Sequence, residues 1–236
     1  MSNDLSKSPR GVTGNALKLI ALISMTVDHA GLILLGNPPL CRILGRLAFP
    51  LFAWSVAEGC LHTRSRRRYF RQVTLLGLLC QLVYYFVDGT LYMSVLISFS
   101  MAIPGVYLLL RAKRERRSLP WLCLTVYVAL TYFICEILPG LLDPALGFCV
   151  DYGFWGVMLP LLAAAFEENY ARLGAFTLGL TALCLSLGGL EWYALLSLPL
   201  LLLYNGQRGR RKLKYLFYIY YPLHLAALYG LSMLLV

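Results

Sequence analysis

Apolar stretches of nearly twenty residues, separated by short polar and charged segments, constrain this chain more than any other feature. A helix of that length crosses the hydrocarbon core of a bilayer, which is about 30 Å thick. Hydrophobic residues make up 59% of the 236 residues and charged residues only 14%, whereas soluble domains carry about 25% charged residues. This composition excludes an ordinary soluble enzyme and a disordered chain, and membrane β-barrel strands would be only about ten residues of alternating polarity. The chain is therefore predicted to be an all-α polytopic integral membrane protein.

Nine apolar stretches, interrupted by charges, glycine and proline, are candidate membrane spans. Residues 1–15 are predicted to form a polar cytoplasmic tail, and residues 16–236 a single transmembrane domain. Because proline inside a helix leaves a backbone carbonyl unbonded, Pro50 and Pro222 are expected to loosen the second and the last span. The candidate spans are 16–35, 43–60, 72–87, 91–110, 121–138, 148–166, 173–187, 190–204 and 215–236.

The positions of the basic residues predict the orientation of these spans. With a cytoplasmic N-terminus, every lysine and arginine except Arg42 and Arg46 lies on the inner side, as the positive-inside rule requires. Nine spans then place the C-terminus outside. The net charge of +10 is explained by this topology and by attraction to anionic headgroups. Membrane lipids are therefore expected partners and nucleic acid is not.

Ionisable side chains inside the predicted spans mark candidate functional positions, because they are costly in hydrocarbon. The first span carries Asp28 and His29, which as neighbours on a helix point about 100° apart and cannot form a simple hydrogen-bonded pair. An ion pair with Arg46 of the second span would explain Asp28 but not the adjacent imidazole. His224 lies about 15 Å into the last span, among tyrosines.

Three further polar residues belong to the candidate set. Glu58, near the inner end of the second span, fits either a helix-locking ion pair or a place in the site. Gln81 lies in the third span, and Asp151 begins the sixth, where it would serve equally well as a helix cap. The three histidines are separated in sequence and lack cysteines or carboxylates at ligand spacing, so no metal site is expected.

Known motifs narrow the reaction classes. The chain has no G-x-x-x-x-G-K-[ST] loop, no G-x-S-x-G and no H-E-x-x-H, which argues against ATP-driven transport, serine hydrolysis and zinc proteolysis. An intramembrane histidine beside a carboxylate fits a proton-coupled transporter or a membrane acyltransferase. In an acyltransferase, the imidazole would take the proton that an amine or hydroxyl acceptor loses as it attacks a thioester.

Five sequence segments, in order along nearly the whole chain, carry a family resemblance. They are LKLIALISMTVDHAG (Leu17–Gly31), GRLAFPLFAWSVAEGCLHTR (Gly45–Arg64), the RRYFRQ stretch leading into Gln81, DYGFWGVMLPLL (Asp151–Leu162), and YNGQRG followed by KYLFYIYYPLHL (Tyr204–Leu225). On these segments the chain resembles the TraX family, named for the protein that acetylates the pilin N-terminus in bacterial conjugation. TraX proteins are in turn distantly similar to the transmembrane acyltransferases.

The resemblance implies an acetyltransferase in the plasma membrane of a bacterium, with acetyl-CoA as donor and a pilin-like protein, a glycan or a small molecule as acceptor. His29 matches the position of the catalytic histidine of those enzymes and is expected to act as general base, with Asp28 and His224 as further catalytic residues. A transporter and a non-catalytic assembly factor stay open as alternatives. The arginines expected to bind the phosphates of CoA are Arg64, Arg66, Arg67, Arg68 and Arg71. The remaining candidate pocket residues are Arg46, Glu58, Gln81, Asp151 and Tyr221.

Overall fold

The computed structural model describes residues 11–115, 117–209 and 214–235, so most of the predicted N-terminal tail lies outside the described part. The described chain is predominantly helical. Its α-helices are α1 (Gly14–Leu34), α2 (Pro39–Gly45), α3 (Ala48–His62), α4 (Arg66–Asp88), α5 (Val95–Glu115), α6 (Ser118–Tyr132), α7 (Leu138–Leu141), α8 (Gly153–Ala163), α9 (Asn169–Leu187), α10 (Leu198–Leu202) and α11 (Lys214–Leu235). The shorter elements are a π-helical turn (Phe133–Ile137), 3₁₀ turns (Pro144–Leu146 and Gly189–Ser197) and the strands β1 (Tyr92–Met93) and β2 (Cys149–Val150).

Five helical segments of the described residues are long and apolar enough to cross a membrane, which fits an all-α membrane protein. The prediction of nine complete spans is not reproduced. With 11 residues, α8 is about 17 Å long, little more than half of a hydrocarbon core of about 30 Å. The helical stretch Gly189–Leu202 is also short. The five long segments are Gly14–Leu34, Pro39–His62, Val95–Glu115, Ser118–Leu141 and Asn169–Leu187.

The chain forms two compact units. Unit 1 comprises the described residues within 1–51 and 196–236, and unit 2 those within 52–195. In unit 1, α1 packs against α2 and α11. Leu17, Ala21 and Met25 are buried in α1 because residues four apart lie on the same face of a helix.

The second predicted span is interrupted just before Pro50. Helix α2 ends at Gly45 and α3 begins at Ala48. Pro50 therefore lies in the first turn of α3, where helix N–H groups have no intrahelical acceptor and proline is tolerated. Proline at residue 50 offers no N–H to the Arg46 carbonyl four residues earlier, so the expected loosening of the second span takes the form of this break, whereas Pro222 lies inside a continuous α11.

Unit 2 is organised around α5, which packs against α4, α6 and α8, while α8 also packs against α9. At the start of α5, β1 and β2 pair in parallel, Tyr92 opposite Cys149. At the other end of α5, Lys113 Nζ donates a hydrogen bond of 2.6 Å to the backbone oxygen of Ala165. Helices α5 and α8 therefore run in the same direction, and the two ends of unit 2 are chemically distinct.

We expect Gly105→Ala to destabilise unit 2. A Cβ at Gly105 would meet the ring of Tyr127 and the side chain of Leu161, and Tyr127 is held in place by the hydrogen bond from its hydroxyl to the Met101 oxygen. Overpacking of this kind costs about 1–3 kcal/mol. Thermal unfolding in detergent should show a lower midpoint.

Gly174→Ala is the matched control, because this glycine also lies inside a helix but a Cβ there has nothing within 4 Å. The control should unfold no lower than the wild type, since alanine favours the helix by about 0.5–1 kcal/mol over glycine. Equal midpoints for the two variants would contradict the packing described around α5.

Candidate functional site

Two histidines meet in unit 1. His29 in α1 and His224 in α11 lie with Nδ1 of the first 2.8 Å from Nε2 of the second. Their ring planes are inclined by only 13° and their centroids are 5.0 Å apart. His224 is buried, with 6% of its surface exposed, while His29 is partly exposed. We call His29 and His224 the histidine pair.

The partners of His224 fix the protonation pattern of the neutral pair. His224 Nδ1 lies 2.9 Å from the backbone oxygen of Tyr220. Since a carbonyl only accepts, this nitrogen must carry the proton, and Nε2 of the neutral ring is then an acceptor. His29 must donate to it from Nδ1, so the lone pair of His29 is on Nε2. The hydrogen bonds thus select the tautomer of His29 that leaves Nε2 basic.

The aromatic side chains of α11 hold the histidine pair in place. The ring of Tyr220 lies nearly parallel to that of His224, 5.3 Å between centroids, and its hydroxyl bonds to Thr26 Oγ1 at 2.7 Å. Because Thr26 donates its own proton to the Leu22 oxygen, Tyr220 is the donor in that contact. Tyr221, which is 8% exposed, packs edge-on against His224 at 5.8 Å.

Asp28 faces α2 rather than the histidine pair. Arg42 donates from Nη1 to Asp28 Oδ1 at 2.8 Å, with 25% and 18% of the two side chains exposed. Gly45 lies against the Asp28 side chain so closely that a Cβ there would overlap it. The absence of a side chain at residue 45 is what lets α2 approach this carboxylate.

Arg42, not Arg46, is the direct partner of Asp28. The sequence analysis expected Arg46, whose charge also acts on the Asp28 carboxylate. The two arginines are four residues apart and share a helix face, so the sequence signal was correct for the face but not for the residue.

Glu58 lies in unit 2 and belongs to a buried ion pair. Arg172 donates from Nη2 to Glu58 Oε1 at 2.5 Å and from Nε to the Ala163 oxygen at 2.7 Å. Its guanidinium also lies 4.8 Å from the ring centroid of Trp54. His62 approaches the other carboxylate oxygen at 3.4 Å. These contacts connect α3, α8 and α9. Of the two roles predicted for Glu58, the structure therefore shows the ion pair that holds helices together.

Gln81 and Asp151 hold the strand end of unit 2. Gln81 donates to the Tyr92 oxygen at 2.8 Å and accepts from the Ser94 backbone nitrogen at 2.9 Å. Asp151 accepts from the Tyr92 hydroxyl at 2.7 Å. The first turn of α8 is instead capped by Glu136, which accepts from the Phe154 nitrogen at 2.9 Å. Capping by Asp151 is therefore replaced by capping from a residue distant in sequence.

The five arginines of the predicted phosphate-binding segment separate into two groups. Arg66 and Arg67 line an open pocket of about 460 Å³ in unit 2, and Arg64, Arg68 and Arg71 do not. Two arginines of α5, Arg111 and Arg114, complete the basic lining of this pocket. The floor is formed by Phe70, Pro104, Tyr107 and Leu108. We call this cavity the arginine pocket.

Sequence reasoning missed several residues that the structure places at these positions. Tyr220 precedes His224 by four residues, so the spacing that puts them on one face was available. Arg111 and Arg114 occur in a basic run whose charge the sequence analysis attributed to topology and to attraction to anionic headgroups. No sequence signal pairs Arg172 with Glu58, since 114 residues separate them.

A family model described as TraX protein matches residues 13–232. The chain belongs to the TraX family. This confirms the resemblance found from the sequence segments.

A curated relative is 28% identical to this chain over 93% of the chain's length and 95% of its own. That relative is the probable fimbrial assembly protein FimC, serogroup H1, of Dichelobacter nodosus. No solved structure matches the chain significantly.

A double-mutant cycle on Asp28→Asn and Arg42→Gln tests the geometry of unit 1. Each single change leaves a partly buried polar or charged group without its partner, so the free energies of unfolding should couple by about 1–2 kcal/mol. Denaturant unfolding in detergent measures this coupling. The cycle with Arg46→Gln in place of Arg42→Gln is the control and should couple less; a larger coupling there would contradict the observed pairing.

Proposed function

We propose that this protein is a membrane-embedded acetyltransferase that moves an acetyl group from acetyl-CoA to an amine or hydroxyl acceptor at or across the membrane, with His29 as general base. The observation that carries the proposal is the hydrogen-bond chain from His29 through His224 to the Tyr220 oxygen. It presents an unprotonated, partly exposed imidazole nitrogen in an apolar helix.

His29 takes the proton of the attacking acceptor on Nε2 as the acceptor bonds to the acetyl carbonyl carbon. The carbon–sulfur bond of the thioester would then break, and His29 would return the proton to the departing CoA thiolate. Acetyl-CoA, when bound, supplies an acyl group activated as a thioester. As His29 becomes an imidazolium, its Nδ1–H already points to His224 Nε2, so the hydrogen bond strengthens without reorganisation. The stacked ring of Tyr220 keeps His224 in the orientation that accepts this bond.

His224 acts as a positioning residue. Both of its ring nitrogens are engaged, one by His29 and one by the Tyr220 backbone. It therefore has no nitrogen left to polarise the thioester carbonyl. Asp28 supports the site indirectly, since its ion pair with Arg42 holds α1 against α2.

The acceptor proposed for this reaction is a pilin-like or fimbrial protein. The support is the relative whose name describes a probable fimbrial assembly protein. The name of this relative also supports a second candidate function, that of a non-catalytic assembly factor. The two differ in their dependence on His29, because an assembly factor needs the fold but not the imidazole nitrogen.

Replacing the histidines one at a time separates these roles. We expect His29→Ala to reduce acetyl transfer by about 10²–10⁴-fold, the usual contribution of a general base. His224→Ala should reduce the turnover number as well, while His224→Gln should recover part of it, because the glutamine side-chain oxygen can accept from His29 Nδ1–H. Transfer from radiolabelled acetyl-CoA to membrane protein acceptors in nanodiscs is the measurement.

His62→Ala is the matched control, since this histidine is 70% exposed at its side chain and should leave transfer unchanged. Full fimbrial or pilus assembly by the His29→Ala protein would identify the non-catalytic assembly factor instead. Failure of His224→Gln to exceed His224→Ala would contradict the positioning role.

The proposed orientation keeps the N-terminus in the cytoplasm and the protein in the bacterial plasma membrane. It is supported by the charge difference between the two ends of unit 2. The strand end carries Glu136 and Asp151, and the other end carries Lys113 and the arginine pocket. Under the positive-inside rule the arginine end is cytoplasmic and the strand end is outside.

Cys149 reports this orientation, because it lies exposed on β2 at the strand end. Partial burial raises the pKa of this thiol, and the negative charges of Asp151 and Glu136 raise it further. Since the thiolate is the reactive form, alkylation should be slow at neutral pH and accelerate roughly tenfold per pH unit below the pKa.

An impermeant maleimide added to intact cells should therefore label Cys149, faster at pH 8 than at pH 7, and should not label the Cys149→Ser control at this position. Labelling of Cys149 only in inverted vesicles would reverse the orientation.

A further inference from the structure

The arginine pocket places positively charged side chains at the N-terminus of α4, where the helix dipole disfavours them. Helix α4 begins with three consecutive arginines, Arg66, Arg67 and Arg68, and has no acidic residue in its first turn. The N-terminus of a helix is the positive end of its dipole, so cations there are repelled and anions are stabilised. Ser65 caps the helix through its hydroxyl, accepting from the Arg68 nitrogen at 3.4 Å, but it supplies no negative charge.

The second wall of the pocket adds positive charge instead of neutralising it. Arg111 and Arg114 line it from α5. Arg111 Nε donates to Glu115 at 2.8 Å, which engages one of the five N–H donors of a guanidinium. The ion pair is exposed, 58% at the arginine side chain, and pairs of this kind contribute little.

The floor of the pocket is apolar and aromatic. The Arg66 guanidinium lies 5.1 Å from the ring centroid of Tyr107, which restricts the arginine and orients it by a cation–π contact. Phe70, Pro104 and Leu108 form the rest of the floor. A cavity of about 460 Å³ falls in the range of ligand sites, about 300–1,000 Å³.

We propose that the arginine pocket is a binding site for a phosphate monoester or a diphosphate. Planar guanidinium forks bind phosphate oxygens in pairs, and four of them meet here at a helix N-terminus that itself favours anions. The apolar floor accommodates whatever organic group the phosphate carries. The site does not depend on acetyl transfer, although a phosphate of CoA would occupy it if the proposed function is correct.

The first arm of the test uses a free anion. Equilibrium dialysis of radiolabelled inorganic pyrophosphate against the protein in phosphatidylcholine nanodiscs, at low salt, measures its dissociation constant. Arg66→Gln/Arg67→Gln should weaken binding by at least about tenfold, since each removes charge-assisted hydrogen bonds to the anion. Arg111→Gln/Arg114→Gln should have a similar effect.

Arg64→Gln/Arg68→Gln is the matched control. It removes the same charge from the same segment, and thus the same topogenic signal, but neither residue lines the pocket. Binding should remain within about twofold of the wild type, because exposed charges outside a site act only through screened attraction. Equal weakening by the control and the pocket variants would overturn the proposal.

The second arm uses a lipid. Nanodiscs containing phosphatidic acid are compared by native mass spectrometry for anionic lipid retained on the protein. Retention that is lost in Arg66→Gln/Arg67→Gln, together with no pyrophosphate binding, assigns the pocket to a lipid headgroup. Pyrophosphate binding that CoA displaces assigns it to a free phosphate ligand, and binding of neither probe overturns the site.

His29→Ala keeps this test separate from the proposed function. This variant changes unit 1 only and should bind pyrophosphate as the wild type does. Pocket variants that lose the anion but retain acetyl transfer would leave the acetyltransferase proposal intact and separate the pocket from the donor. Loss of transfer with intact anion binding would point back to the histidine pair.

Discussion

Polar groups placed inside apolar helices must find partners on neighbouring helices, and this requirement governs how the chain packs. In hydrocarbon an unsatisfied donor or charge costs several kcal/mol, so each such residue specifies a contact. His29 specifies the approach of α11 to α1, and Asp28 specifies the approach of α2 to α1. In unit 2 the same requirement joins Glu58 of α3 to Arg172 of α9. Apolar side chains provide most of the contact area between helices, but these few polar pairs determine which helix faces are in contact.

The helical class and most helix positions could be predicted from the sequence because they depend on local properties. Apolar length and charge placement are visible in one stretch of residues at a time, and the stretches proposed as spans do contain helix in the described parts of the chain. Whether a predicted span is helical over its full length was harder to predict from the sequence. The stretch 148–166 is apolar except for Asp151, yet its first residues form β2 and the turn after it, so only Gly153–Ala163 is helical.

The partners of the candidate residues could be predicted only in part, since pairing depends on helix rotation and tilt. Arg42 and Arg46 lie about one helical turn apart, so a shift of α2 by one turn along α1 would exchange them as the partner of Asp28. The amino-acid composition does not determine this position of α2. Pairs between remote segments, such as Glu136 with the first turn of α8, have no local signature at all. By contrast, His29 and His224 could be selected as candidates from sequence alone, because ionisable residues in transmembrane helices are costly and usually functional. That the two side chains contact each other could be seen only in the structure.

The direction of the hydrogen bonds around the histidine pair also limits where a proton can travel. A relay moves protons only if each member can both accept one and pass one on. His29 and His224 meet this condition, but the next group is the Tyr220 backbone oxygen, which accepts and cannot release a proton of its own. The hydrogen-bond chain therefore ends at this carbonyl, and a proton taken up by His29 must be released again from His29. A site of this kind suits a reaction that borrows and returns a proton in each cycle, and it does not suit a conduit that carries protons from one side of a membrane to the other.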